Sequence, residues 1–226
     1  MYPIGDSALQ IKWTNANAHF LRQVSNLIQQ NHVTGVYDMV PGLETITLFY
    51  HFPQTTYDEL AEKLANILKS GKKKDSHTMK RTLHIPTLYE GPDFHEVDQI
   101  NNTTPEIIIQ THSSQTYEVT MLGFLPGFPY LSGLPASLHT PRRTDPRLTV
   151  DAGAVGIGGA STGIYPIASP GGWNLIGRTP IALFSLDEEN PFLFQQGDKV
   201  KFVPITNEQW ETVKTNREEI IFYEKN

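Results

Sequence analysis

Residues 45–71, TITLFYHFPQTTYDELAEKLANILKSG, hold the two patterns on which the fold reading turns. Ile46, Leu48, Tyr50 and Phe52 recur at every second position, the period of a half-buried strand. A few residues on, the period changes: Leu60, Leu64, Ile67 and Leu68 fall on one side of a helix. Thr56 with Glu59 three residues later forms a capping box that starts this helix, and Gly71 is a stop signal. Working outward, residues 8–13 alternate through Leu9, Ile11 and Trp13, and predict a strand. Phe20, Leu21, Val24, Leu27 and Ile28 predict a helix from Asn17 to about Asn31. Residues 35–40 are a short strand before the Pro41-Gly42 turn, and residues 82–85 form a last strand leading into Pro86. The order β-α-β-β-α-β is the split arrangement of a ferredoxin-like domain, expected over residues 1–86. The Lys72-Lys73-Lys74 run falls in a connection and reads as a solvated loop.

Residues 87–226 have another texture. Two short helices come first. Asp93 opens one, with Glu96 as its box partner; Thr104 caps the other, Pro105 takes its first position, and it carries Ile107, Ile108 and Ile109 toward His112. From Tyr117 glycine and proline become dense. Short β-like runs follow at residues 117–124, 149–150, 153–157, 173–176, 181–184 and 199–203, the pattern of a small β-barrel or sandwich. The fold class is therefore α+β.

Composition narrows the function. The 226 residues are 38% hydrophobic and 19% charged, ordinary for a folded protein. A net charge of −6 argues against nucleic acid, whose phosphates need clustered Lys and Arg. The chain has no cysteine, which excludes a thiolate nucleophile, a disulfide framework and a Cys-ligated zinc. The first residues lack the basic and apolar regions of a signal peptide. No apolar run approaches the roughly 20 residues of a membrane span. The expectation is a soluble, cytoplasmic protein with no membrane partner.

Candidate chemistry concentrates between Met121 and Phe184. Arg142, Arg143 and Arg147 stand among prolines in a short loop. A rigid display of guanidiniums grips carboxylate or phosphate; taken without context, the same residues rather suit pairing with nearby surface acids. Gly153, Gly156, Gly158 and Gly159 have the density of a nucleotide loop. The helix that a dinucleotide fingerprint requires does not follow, and no Walker motif is present. The eight histidines show no H-x-x-x-H or H-E-x-x-H spacing, so no metal site is assigned. His112 is a candidate general base or a hydrogen-bonded core histidine. No G-x-S-x-G elbow surrounds any serine.

Residues 123–133 (GFLPGFPYLSG), 140–147 (TPRRTDPR), 152–159 (AGAVGIGG) and 162–180 (TGIYPIASPGGWNLIGRTP), continued by Gly197-Asp198-Lys199-Val200-Lys201-Phe202, occur in an order that resembles the family of 5-oxoprolinase B subunits. That family is also called allophanate hydrolase subunit 1 and includes the KipI inhibitor of a sporulation kinase. Gly5-Asp6-Ser7-Ala8-Leu9 and Val40-Pro41-Gly42 extend the resemblance over nearly the whole chain.

The resemblance implies a cyclophilin-like barrel for residues 87–226. It also implies action beside two other subunits that together hydrolyse 5-oxo-L-proline to L-glutamate with ATP. ATP, with Mg, would be shared with a partner subunit. Residue chemistry then makes Arg142, Arg143, Arg147, Arg178 and His112 the catalytic candidates, with Gly156, Gly158 and Gly159 as phosphate donors. Phe128, Tyr130, Tyr165 and Trp173 line a shared cleft or fill the barrel core. The same resemblance carries two alternatives: binding the helical domain of a histidine kinase through the aromatic loop at residues 124–130, and amide hydrolysis of urea or allophanate type. A prolyl isomerase reading has only the barrel behind it. Residues 87–93, TLYEGPD, depart from the family by appearing shortened, which bears on substrate or partner contact.

Overall fold

Period-two alternation puts Leu9 and Ile11 on the same face as Ile46, Leu48 and Tyr50, and all five side chains are buried. The computed structural model describes residues 1–70, 81–213 and 221–223. It divides the chain into two units, Met1–Thr78 and Met79–Asn226; the Lys72-Lys73-Lys74 run lies outside the described residues.

The first unit comprises β1 (Tyr2–Ile4), β2 (Ala8–Lys12), α1 (Ala18–Gln30), β3 (Val36–Pro41), β4 (Thr45–Tyr50) and α2 (Tyr57–Ser70). Its sheet runs β1-β2-β4-β3, antiparallel throughout. Leu21, Val24 and Ile28 of α1 and Leu60 and Leu64 of α2 cover its apolar face. Both caps form as their sequences demand. Asn17 Oδ1 accepts from Phe20 N at 2.8 Å. The Thr56–Glu59 box closes with Thr56 N donating to Glu59 Oε2 at 3.0 Å and Glu59 N to Thr56 Oγ1 at 3.4 Å.

The remaining elements are β5 (Arg81–Thr87), α3 (Phe94–Asn101), α4 (Pro105–Ser114), β6 (Tyr117–Leu122), β7 (Pro129–Ser132), β8 (Arg147–Val150), β9 (Ala154–Gly158), β10 (Ser161–Ile164), β11 (Ser169–Gly171), β12 (Asn174–Arg178), β13 (Lys199–Pro204), α5 (Asn207–Thr212) and β14 (Ile221–Tyr223). An eight-stranded sheet runs β12-β9-β10-β7-β6-β13-β5-β14, and β8 pairs with β11 in a separate ribbon.

The ferredoxin-like expectation needs correcting at its last strand. Residues 82–85 lie in β5, which pairs parallel with β13 and antiparallel with β14 in the second unit's sheet. The place beside β2 is taken by β1. Leu83, Ile85, Pro86 and Thr87 are all buried. A strand covered on both faces belongs inside a large sheet and not at the edge of a small two-layer one.

The eight-stranded sheet also curls. Leu88, just after β5, exchanges backbone hydrogen bonds of 2.8 and 2.9 Å with Arg178 at the far edge strand β12, joining the two sides of the sheet at one end. Inside lie Val119, Leu131, Val155, Ile157, Ile164, Ile176, Val200 and Phe202. Residues 181–184 form no strand and contribute one bridge, Phe184 to Phe192.

Candidate functional site

Trp173 precedes β12, and glycines make its place. A β-carbon on Gly156 would meet Trp173 Cβ at 3.2 Å, and one on Gly163 would meet the indole at 3.0 Å and Phe128 at 3.1 Å. Trp173 then packs edge-on against Phe128 (ring centroids 5.3 Å apart) and Tyr130 (5.7 Å), while Tyr165 meets Phe128 at 5.2 Å. Such perpendicular contacts suit the ring quadrupoles. Burial is the main cause that raises the Tyr165 phenol pKa, so this hydroxyl stays protonated. The four aromatics that the sequence offers as cleft or core are thus one cluster. Phe128, Tyr165 and Trp173 are buried and Tyr130 is half-buried. Phe124, at φ 71° and 61% exposed, extends the cluster to the surface against Phe128.

Arg142 is exposed, and its guanidinium carbon sits 5.9 Å from the centre of the Trp173 ring, a cation–π contact. Among the described residues no carboxylate pairs with it. Its neighbours are tethered. Asn174 Nδ2 donates to Pro141 O at 2.8 Å, and Arg143 N donates to Gly172 O at 2.8 Å. The chain is therefore pinned on both sides of Arg142.

Arg143 and Arg147 do not share that freedom. Arg143 Nη1 donates to Asp93 Oδ1 at 2.9 Å, and Arg147 Nη2 donates to the same oxygen at 2.6 Å. The other carboxylate oxygen accepts from Leu175 N at 2.7 Å, while Asp93 N donates to Leu175 O at 3.0 Å. Asp93 is 1% exposed. The hydrogen bond to Asp93, the largest cause, raises the pKa of Arg147. The sequence predicts Asp93 as the cap of α3, yet its side chain makes no cap bond. Two guanidiniums outcompete the helix amides because charge-assisted hydrogen bonds are the stronger kind. No sequence pattern points to this role, since an N-cap Asp and an ion-paired Asp look alike in a local window.

His112 is fully buried. Its Nδ1 lies 2.8 Å from Tyr89 Oη and its Nε2 lies 2.9 Å from Thr162 Oγ1, whose hydroxyl donates to Gly156 O at 2.9 Å. One tautomer, assigned from this network, satisfies every member: Nδ1 accepts from Tyr89 and Nε2–H donates to Thr162. Burial lowers the imidazole pKa to about 3. This neutral core histidine reaches no solvent, a geometry unlike that of a general base.

Arg178, at the end of β12, lies about 16 Å from Trp173 by strand rise. Its guanidinium sits 4.6 Å over the Trp210 ring and 3.9 Å from Glu90 Oε2. Its partner Glu90 lines a cavity of about 340 Å³ together with Tyr89, Ile109, Ile205, Asn207 and Glu208. The four candidate arginines thus split into one free, two clasped and one remote.

The residues expected to bind phosphate do not form a cradle. Gly156 and Gly158 belong to β9, which has β10 on one side and β12 on the other, so its backbone is committed to sheet pairing. Gly159, at φ 66°, exchanges hydrogen bonds with Thr140. Arg143 and Arg147 are occupied by Asp93. ATP does not fit these residues. Among the described residues no group of three metal-ligating side chains converges, and no helix is long and apolar enough to cross a membrane.

Comparison with known proteins shows the family. Residues 1–194 match the family model described as carboxyltransferase domain, subdomain C and D. The 5-oxoprolinase B subunit of Bacillus subtilis is 37% identical over 93% of this chain and 95% of its own length. That of Haemophilus influenzae is 47% identical over 74% of this chain and 79% of its own. The crystal structure of TTHA0988 superposes with a TM-score of 0.78 at 30% identity, over 89% of this chain. This chain spans 40% of that longer protein. With nearly its full length aligned to such relatives, the chain belongs to the family of 5-oxoprolinase B subunits.

Proposed function

We propose that this chain, a cytoplasmic protein, acts with two other subunits in an ATP-dependent conversion of 5-oxo-L-proline to L-glutamate, and that Arg142 above Trp173 is its contribution to the substrate site. The observation that carries this reading is the exposed Arg142 guanidinium, free of carboxylates among the described residues and held over an aromatic floor. 5-Oxoproline carries one carboxylate on a flat lactam ring. A guanidinium pairs with the first, and an aromatic edge such as half-buried Tyr130 suits the second. The curled sheet, with its two sides joined between Leu88 and Arg178, is in keeping with a cyclophilin-like barrel. ATP and Mg would be held by a partner subunit, because the glycines and clasped arginines of this chain offer phosphate no cradle.

The test is reconstitution with the two partner subunits, following glutamate release while each component is omitted in turn. Release only from the full mixture supports the reading. Arg142→Ala in that mixture is expected to raise KM for 5-oxoproline about 10-fold or more, the loss of a charged hydrogen bond. Release that persists without this chain would sink the proposal.

A second reading, docking on the helical domain of a histidine kinase, draws on the exposed Phe124 beside Phe128. It predicts that Phe124→Asp abolishes kinase capture and leaves glutamate release intact.

A further inference from the structure

Asp93 joins three chain segments that are distant in sequence. Its backbone N–H and one carboxylate oxygen hold Leu175 from both sides, which anchors residues 88–93 along β12. The same segment is packed so closely that a β-carbon on Gly91 would collide with Leu175 O and Ile176 Cα. The other carboxylate oxygen holds Arg143 and Arg147 of the loop that carries Arg142. Glu96 Oε1 adds a 3.6 Å approach to Arg143 Nη1, so two guanidiniums are balanced by two carboxylates. A buried carboxylate this well paired is costly to disturb, because removing it leaves half-buried Arg147 without a carboxylate and Arg143 with only the longer approach of Glu96.

The position of Arg142 follows from those bonds. Pro141 is held by Asn174, and Arg143 is held by Gly172 through its backbone and by Asp93 through its side chain. Trp173 sits between two of these anchors in sequence. Loosening Asp93 releases one anchor of the arginine loop and the neighbouring end of β12 together. Asp93 itself is buried.

Resting on the reading of Arg142 as a substrate contact, we propose that Asp93 is a positioning residue, fixing Arg142 over Trp173 by clasping Arg143, Arg147 and Leu175. Shape is kept and charge removed by Asp93→Asn. In the reconstituted three-subunit enzyme this variant raises KM for 5-oxoproline about tenfold, comparable to loss of one charged contact, with kcat changed less. In the Arg142→Ala background the same substitution adds nothing further, since residues acting through one another are not additive. An equal rise in KM with and without Arg142 overturns the proposal. A spectroscopic arm is independent of turnover. With Trp13→Phe and Trp210→Phe, Trp173 is the single indole, and Asp93→Asn shifts its emission to the red and increases acrylamide quenching. Unchanged Trp173 emission and quenching also overturn it. If Arg142→Ala leaves KM unaltered while the Trp173 signal responds to Asp93→Asn, the substrate-site reading fails and the clasp stands. Should Asp93→Asn fail to fold, Arg143→Leu removes one arm of the clasp and runs through the same cycle and the same spectra.

Discussion

A β-carbon added to Gly158 would lie 2.5 Å from both Cε2 and Nε1 of Trp173, so the indole occupies the space that any larger residue in β9 would need. Of the four glycines in residues 152–159, Gly156 and Gly158 serve the packing of one tryptophan.

Gly158→Ala is therefore expected to overpack this site and cost about 1–3 kcal/mol, with Trp173 displaced. For a domain of this size each kcal/mol lowers Tm by about 2–4 °C. Thermal unfolding followed by Trp fluorescence measures it. A variant with unaltered Tm would mean that the indole has room to move that the structure does not show.

The pH dependence of stability should carry a signature of His112. The unfolded chain takes up a proton on this imidazole near pH 6.5, while burial in the fold delays protonation to about 3. The stability contributed by the neutral form is present above the unfolded value and is lost as pH falls from about 6.5 toward 3. Urea midpoints at pH 7 and pH 5 should thus differ more in the native protein than in His112→Gln. That variant should also be less stable at pH 7 by about 1–3 kcal/mol, having broken the Tyr89–Thr162 chain. Equal pH slopes in the two proteins would refute the assignment.

Arg178→Ala tests the separation of the two arginine sites. Its side chain is 54% exposed, and contacts of this kind contribute at most about 1 kcal/mol. KM for 5-oxoproline is expected to stay within error of the native value while Trp210 emission changes. A tenfold rise in KM would instead bring the cavity beside Glu90 into the substrate site.

Legibility in the sequence tracks the range of the forces involved. The helices over residues 18–30 and 57–70 are readable because a 3.6-residue apolar period and a cap are local facts, confined to a few turns. Strands β2, β3, β4, β6, β9, β12 and β13 are readable because alternation and short apolar runs between turn signals are local too. Strands β1, β7, β10 and β11 escape a sequence reading because three or four residues interrupted by glycine or proline display no period. The strand at residues 82–85 is visible in the sequence, but its sheet is not. Its neighbours β13 and β14 lie more than a hundred residues away along the chain, and nothing local announces them.

The candidate site divides in the same way. Residue types and motif order are enough to collect Arg142, Arg143, Arg147, Tyr130 and Trp173 as one group and to name the family. Which arginine remains free is a tertiary decision. Asp93 reaches Arg147 across 54 residues, and a carboxylate chooses its partner by distance and desolvation, which only the folded chain sets. The sequence by itself determined the two long helices, the longer strands and the family. The tertiary structure decided that a predicted helix cap is an ionic clasp, that Gly156 and Gly158 make room for a tryptophan, and that Arg142, unlike Arg143 and Arg147, has no carboxylate partner among the described residues.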